Sequence, residues 1–116
     1  MDKVNAYKKI VRSIVEEIVA ISPEIEGGVE NQLITDDEHG HYLYFGVGWE
    51  NKGKDWFYAT FIHIDVRPNG RVWLQHDGTD LRIANQLIER GIPKNDIVIG
   101  FQPPYVRDMM QDFATT

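Results

Sequence analysis

The chain has 116 residues, enough for one domain with its own core, and we predict a single domain over residues 1–116. It contains no cysteine, which excludes thiolate nucleophiles, cysteine-ligated zinc and a disulfide framework. Twelve Lys and Arg residues against 18 Asp and Glu residues give a net charge of −6, which argues against strong direct binding to DNA. No apolar run approaches the roughly 18 residues of a membrane helix and no signal peptide pattern is present, so we expect a cytoplasmic protein.

Residues 3–22 predict an amphipathic helix of about five turns. Pro23 ends it, because proline clashes with the preceding helical turn. The pattern covers fewer than three heptads, which favours packing on a sheet over a coiled-coil seam. The apolar residues recur every seven positions in two series, Val4, Val11 and Ile18, and Tyr7, Ile14 and Ile21.

Alternating apolar and polar residues, separated by turn sequences, predict strands after this helix. The loops between the strands are short, which indicates an antiparallel meander. We therefore predict an α+β fold: a long N-terminal helix on a four-stranded antiparallel sheet, then a second helix and an irregular C-terminal arm. The four predicted strands are residues 29–36, 41–49, 56–66 and 71–76.

The turn between the third and fourth strands decides which side chains share a face. A two-residue turn at "NG" would mix apolar and charged residues on both faces. A three-residue loop, Pro68 to Gly70, separates them and places Ile64 opposite Leu74 and Ile62 opposite His76. The predicted core face holds Ile62, Ile64, Val66, Val72, Leu74 and His76. The predicted outer face holds His63, Asp65, Arg67, Arg71, Trp73 and Gln75.

This register separates the histidines and carboxylates of "IHIDV" and "LQHDGTD". His63 and His76 fall on opposite faces and cannot hold one ion together. His63 and Asp65 share a face, but two donors are too few for a transition-metal site, so we predict no metal and no cofactor. His76 is expected to face the core and to fix the corner between strand and helix by hydrogen bonding.

The same stretch has a structural explanation as the start of the second helix. Asp77–Gly78 is predicted as a turn in which Gly78 takes positive φ, with Thr79 as the N-cap and Asp80 in the first turn. The stripe that should face the core consists of Leu81, Ala84, Leu87 and Ile88, and Gly91 follows the helix end. No nucleophile elbow, P-loop or H-E-x-x-H pattern occurs, and we predict no enzymatic activity.

The outer face of the predicted sheet is rich in aromatic residues, since Phe57, Ala59, Phe61 and Trp73 fall on it. Apolar faces of this kind mark interfaces. The alternative is that the C-terminal segment, residues 103–116, folds back and covers this face. The candidate interface comprises Phe57, Phe61, His63, Asp65, Trp73 and Gln75.

Much of the chain resembles the XisI family, the fdxN element excision controlling factors of cyanobacteria. The most specific run is "HIDV…GRVWLQHDGTDLRIANQLIERGIPKNDIVIGFQPPYVR", which contains His76, Asp77, Gly78 and Thr79. "MDKVNAYKKIV", "VGW" at residues 47–49 and "DFA" at residues 112–114 match as well, whereas the tail around Met109 and Met110 departs from the family pattern.

The resemblance implies a control factor for site-specific excision of a DNA element during heterocyst differentiation. It implies work with a separate recombinase and a nuclease-like partner, XisH, and it carries over no catalytic residue. With the aromatic face, it leads us to expect protein–protein contacts and a homodimer. Two alternatives remain: an antitoxin-like inhibitor of the XisH-like partner, and a metal-dependent hydrolase using His63 with Asp65 or His76 with Asp77.

Overall fold

One long helix covers one face of a five-stranded sheet in the computed structural model, which describes residues 2–24 and 26–116. The α+β architecture and the N-terminal helix are as predicted. None of the helices within these described residues is long and apolar enough to cross a membrane. The elements are α1 (Lys3–Ile21), β1 (Glu30–Asp36), β2 (His41–Glu50), β3 (Asp55–Val66), β4 (Val72–Asp77), α2 (Ile83–Glu89), a 3-10 helix (Lys94–Asp96), β5 (Ile97–Ile99) and α3 (Pro104–Arg107).

The sheet has the order β1-β2-β3-β4-β5, and the prediction of four purely antiparallel strands was wrong in one respect. A fifth strand, Ile97–Ile99, pairs in parallel with β4, and Val72 lies opposite Ile97. All three residues of β5 are buried, so the strand shows no alternation of apolar and polar positions. Helix α2 supplies the crossover that a parallel pair requires.

Helix α1 packs on the sheet through its apolar stripe, as predicted, and not through a coiled-coil seam. Asp2 caps it by accepting a hydrogen bond from the backbone N–H of Val4 at 2.9 Å. Ile21, the last residue of the predicted stripe, is exposed. The buried residues of the helix are Tyr7, Val11, Ile14, Val15 and Ile18.

The 3-10 helix after α2 fastens the start of α1 to the sheet. Asp96, which is buried, accepts hydrogen bonds from the Tyr7 hydroxyl at 2.5 Å and from Lys3 and Arg71 at 3.2 and 2.9 Å. Burial by itself raises the pKa of Asp96, but these hydrogen bonds and positive charges outweigh it and lower the pKa. Burial and the bond to Asp96 raise the pKa of Tyr7 to about 12.

The loop between β3 and β4 confirms the three-residue turn. The backbone N–H of Arg67 donates to the carbonyl of Arg71 at 2.9 Å, and Gly70 has φ of +85°. Ile64 lies opposite Leu74, as predicted. The core face predicted from this register is confirmed for all members except His76, since Ile62, Ile64, Val66, Val72 and Leu74 are buried.

Beyond the pair Ile64–Leu74, a β-bulge in β4 shifts the register by one residue, so the predicted pairing of Ile62 with His76 was wrong. Gln75 has no partner in the ladder, so His63 lies opposite His76 and Ile62 lies opposite Asp77. The extra residue turns His76 away from the core, and its side chain is exposed. The expected core histidine at the strand-to-helix corner was therefore wrong.

Asp77 organises the corner instead. Its carboxylate accepts hydrogen bonds from the backbone N–H and hydroxyl of Thr79 at 3.0 and 2.7 Å and from the N–H of Ile83 at 3.2 Å. Helix α2 begins at Ile83, so Thr79 is not its N-cap and Leu81 is exposed. Gly78 does not take positive φ; a side chain there would approach His76 Nε2 to 2.9 Å.

A second bulge, in β3, reverses the faces of that strand. Tyr44 lies opposite Ile62 and Phe45 opposite Thr60, which leaves Phe61 unpaired. Phe61 consequently lies on the core side, with its ring 4.8 Å from that of Tyr44 and 5.6 Å from that of Phe57. The expectation that Phe57, Ala59 and Phe61 share a face with Trp73 was wrong, because the alternation changes sides at the bulge.

The C-terminal arm, residues 100–116, covers the outer face of the sheet on the β4–β5 side. The Arg107 guanidinium lies 5.2 Å from the ring centre of Trp73, and Ala114 donates its N–H to the carbonyl of Ile97 at 3.0 Å. Val98, which faces outward from β5, is fully buried. The predicted alternative, in which the C-terminal segment folds back on the outer face, is therefore confirmed for the β4–β5 half of the sheet. The arm does not cover the outer face of β1 to β3.

Candidate functional site

A compact cluster of His41, His63 and Asp65 lies on the outer face of the sheet. His41 on β2 is directly opposite Asp65 on β3, and His63 precedes Asp65 by two residues, so all three point to the same side. Asp65 Oδ1 is 2.7 Å from His41 Nδ1 and 2.8 Å from His63 Nε2. The two imidazole rings meet edge to face, with centroids 6.4 Å apart.

The carboxylate of Asp65 is held in place by residues on two strands, and its second oxygen, Oδ2, is bound from β4. Gln75, the bulge residue of β4, donates from Nε2 to Asp65 Oδ2 at 3.1 Å. Arg67 lies 3.9 Å from the same oxygen. Burial alone raises the pKa of Asp65, but the hydrogen bonds from His41 and Gln75, with His63 beside them, lower it.

Trp73 closes the cluster on the side of the arm. Its ring contacts two guanidinium groups, with Arg67 at 4.3 Å and Arg107 at 5.2 Å from the ring centre. Gly100 lets the arm approach this closely, because a Cβ there would lie 2.5 Å from Gln75 Oε1 and 3.1 Å from Trp73. The arm therefore buttresses both residues that border Asp65.

The structure brings together four residues of the predicted interface and separates the rest. His63, Asp65, Trp73 and Gln75 meet on the outer face, whereas Phe57 and Phe61 lie on the opposite face. The family run His76, Asp77, Gly78 and Thr79 forms the corner before α2. In the described residues, the group of three side chains close enough to share an ion is His41, His63 and Asp65. His76 and Asp77, the pair named in the alternative of a metal-dependent hydrolase, do not belong to this group.

Sequence reasoning missed His41 as a site residue. Its place on one face of β2 was evident from the alternation, but its partner across the ladder was not. The signal lies in the β2–β3 register, which pairs residue 41 with residue 65 because of the bulge at Phe61, and which the "ENKGKD" turn alone does not determine.

A second feature of the outer face is an exposed group of large apolar side chains that we call the outer aromatic patch. Trp49 and Trp56 lie opposite each other near the end of the β2–β3 hairpin, with ring centres 5.2 Å apart. Tyr58 lies 4.6 Å from Phe45. The side chains remain largely open to solvent, at 52% for Trp49, 54% for Trp56 and 66% for Tyr58. The patch comprises Ile34, Leu43, Phe45, Val47, Trp49, Trp56 and Tyr58.

These residues differ from the aromatic face predicted from the sequence. Large, rigid aromatic side chains that stay exposed and contiguous are typical of protein contact surfaces. The polar cluster and the patch adjoin on β2 and β3, since Leu43 of the patch lies directly opposite His63 of the cluster. The outer face therefore offers one polar, histidine-rich end and one apolar end.

Comparison with known proteins gives a consistent result. The sequence model of the family described as XisI protein matches residues 1–115. A crystal structure described as an XisI-like protein from Anabaena variabilis has 34% sequence identity and a TM-score of 0.89, covering 97% of this chain and 99% of that chain. A second, described as the fdxN element excision controlling factor XisI from Anabaena variabilis, has 29% identity and a TM-score of 0.85, covering 99% of this chain and 100% of that chain.

A search of curated proteins finds no match. The family match spans nearly the whole chain, and the more similar structure shares over a third of its residues in the same fold. The resemblance inferred from the "HDGTD" run and the "VGW" and "DFA" sequences is thereby confirmed. The chain belongs to the XisI family.

Proposed function

We propose that this protein is a non-enzymatic control factor for site-specific excision of a DNA element of the fdxN type. It acts through protein–protein contacts with a nuclease-like XisH partner, and it pairs with a second copy of itself. The outer aromatic patch carries the proposal. The similar structure described as an fdxN element excision controlling factor supports the process in which it acts.

The charge of the chain favours contact with DNA enzymes over contact with DNA. A net charge of −6 opposes the accumulation of phosphate groups that sequence-independent DNA binding requires. Several of the basic side chains are also paired with carboxylates, as Arg12 is with Asp37 and Arg90 with Glu17. A regulator with this surface reaches DNA through its partners.

The patch is large enough to contribute substantially to binding. Covering the exposed parts of Trp49, Trp56 and Tyr58 would remove roughly 350 Å² from water, taking about 200 Å² for each complete side chain. At about 25 cal/mol per Å² this corresponds to roughly 9 kcal/mol before the entropy cost of association. Paired aromatic residues at the centre of an exposed face are the usual anchors of such contacts.

The test is co-purification of the chain with an XisH-like protein, together with light scattering on the chain alone. The variant Trp56→Ser/Tyr58→Ser removes two anchors of the patch. The matched control is Tyr105→Ser/Met109→Ser, because these side chains are at least as exposed, at 70% and 69%, but lie on the C-terminal arm. Thermal unfolding establishes that both variants remain folded.

We expect the wild type and the arm control to form a dimer and to capture the partner, and the patch variant to lose at least one of these interactions. Loss of capture with an intact dimer assigns the patch to the partner, whereas a monomeric variant assigns it to self-association. A wild type that is monomeric and captures no XisH-like protein overturns the proposed function. An unchanged patch variant overturns the role of the patch.

A reporter of excision tests the process itself. A strain with the recombinase and the XisH-like protein should excise a marked element when this chain is supplied. The patch variant should lower the frequency of excision, and the arm control should not. Excision that proceeds equally without the chain contradicts a role as control factor.

A further inference from the structure

We propose that His41, His63 and Asp65 form a binding site for a divalent transition-metal ion of the Zn²⁺ type. The site would use His41 Nδ1, His63 Nε2 and Asp65 Oδ1 as ligands and leave a fourth position open to water or an added ligand. The inference is independent of the proposed function, because it concerns the polar end of the outer face and not the patch.

The donor set is suited to such an ion. Two imidazole nitrogens and one carboxylate oxygen are the ligands that Zn²⁺ and its neighbours prefer, and three protein ligands with an open position are typical of accessible zinc sites. The three donor atoms already lie within 4.8 Å of one another. A tetrahedral ion with bonds of about 2.0–2.1 Å needs donors about 3.3 Å apart, which small rotations of the side chains achieve.

The two histidines are free to make these rotations, while the carboxylate is held. The side chains of His41 and His63 are 49% and 33% exposed, so an ion has direct access, and that of Asp65 is 10% exposed. Gln75 donates to Oδ2 and leaves Oδ1 directed at both imidazoles. Support of a ligating carboxylate by an outer hydrogen bond is a regular feature of metal sites.

Arg67 is the cation closest to the carboxylate, at 3.9 Å from Oδ2, and its charge weakens the attraction of a divalent ion. Its guanidinium lies 4.3 Å from the ring centre of Trp73 and is close to Oδ2, whereas both histidines contact Oδ1. It therefore leaves the three donor atoms accessible. Replacing it should strengthen binding several-fold.

The two remaining histidines provide matched controls. His39 forms an exposed pair with Asp36 at 2.7 Å, which is a histidine–carboxylate contact without a third donor. His76 lies opposite His63 in the ladder but does not belong to the group. If tight binding of the ion requires three convergent donors, neither His39 nor His76 contributes to it.

The experiment is calorimetric titration of the full, untagged chain with ZnCl₂ near neutral pH, and absorption spectroscopy with Co²⁺. We expect saturable binding of one ion, a Co²⁺ spectrum of a four-coordinate site, and a higher melting temperature with Zn²⁺. His41→Ala, His63→Ala and Asp65→Asn should each weaken binding by about tenfold or more, and Gln75→Ala by about tenfold. His39→Ala and His76→Ala should bind as the wild type does, and Arg67→Gln more tightly.

Binding should also weaken when the pH is lowered from about 7.5 to 5.5, because protons compete for the imidazole nitrogens. Absence of saturable binding up to about 1 mM Zn²⁺ would overturn the site. Equal losses in His39→Ala and His41→Ala would do so as well, since they would show surface binding by any histidine. If a ligand variant fails to fold, the site is tested by comparing the melting temperature of the wild type with and without Zn²⁺. An unchanged melting temperature would then count against the site.

Discussion

Replacing Tyr7 by Phe removes one hydroxyl from the buried contact that joins α1 to the 3-10 helix. The hydroxyl donates to Asp96 Oδ2 at 2.5 Å, and both residues are buried. The ring stays in place, so the core loses no volume. Asp96 keeps its contacts with Lys3 and Arg71 but has one donor fewer for a charge shielded from water.

A hydrogen bond to a charged group contributes about 1.5–3 kcal/mol. Because two cationic donors remain, and Lys3 is half exposed, we expect a loss near the middle of that range, about 2 kcal/mol. For a domain of this size the melting temperature should fall by roughly 8 °C. Urea unfolding monitored by tryptophan fluorescence measures the free energy, with Tyr105→Phe on the exposed arm as the control.

The pH dependence of this loss is specific to the mechanism. The pKa of Asp96 is lower in the folded protein than in the unfolded chain, so its contribution is present above the unfolded pKa, about 3.9, and is lost as the pH falls through the folded pKa. Tyr7 behaves oppositely: its pKa rises to about 12, so its contribution is lost as the pH rises from about 10 through that value.

The difference in stability between wild type and Tyr7→Phe should therefore be constant between about pH 5 and 9 and should narrow on both sides. A difference below about 0.5 kcal/mol at neutral pH would refute the reasoning, because Lys3 and Arg71 would then suffice to hold the carboxylate. A difference that does not narrow as the pH falls through the folded pKa of Asp96 would refute it as well, since the hydroxyl would not be acting on the ionised form.

Three further changes test other parts of the fold. Gly40→Ala should lower the free energy of unfolding in urea by about 3 kcal/mol or more, because φ is +75° and the new Cβ would lie 2.1 Å from a carbonyl oxygen of β3. The control Gly53→Ala, where φ is +81° but the surrounding space is open, should lower it by about 1 kcal/mol. Asp77→Ala should cost about 1–2 kcal/mol and speed hydrogen exchange at the start of α2, and unchanged exchange would contradict its role at that corner. Trp73→Leu should free the C-terminal arm by removing the ring on which Arg107 lies, so that limited proteolysis within residues 100–116 becomes about tenfold faster; an arm cut at the wild-type rate would mean that the ring does not hold it.

Features determined by neighbouring residues in the chain were predicted well. Helix α1 follows from its apolar stripe and from Pro23, and the loop at Pro68 to Gly70 follows from proline and glycine at the positions that such a turn requires. The separation of polar and apolar faces then placed Ile64 opposite Leu74. These inferences rest on periods of 3.6 and 2 residues and need no knowledge of distant contacts.

Features that depend on cross-strand geometry were not predictable in the same way. The bulges at Phe61 and Gln75 change the alternation within otherwise regular strands, and each moved aromatic or histidine residues to the face opposite the expected one. His41 joined the candidate site because of its pairing with β3, and β5 was missed because it has three residues. A bulge becomes evident when both strands and the packed core are known.

The bulge at Phe61 makes the length of β3 as important as its composition. On the near side of the bulge the strand is held by α1 and the core, while on the far side the same strand presents Trp56 and Tyr58 to solvent. Deleting a single residue there would restore regular alternation along β3, turning Trp56 and Tyr58 towards the core side and Phe57 towards solvent. The outer surface of the hairpin end therefore depends on the number of residues between that end and the core as much as on the identity of the side chains.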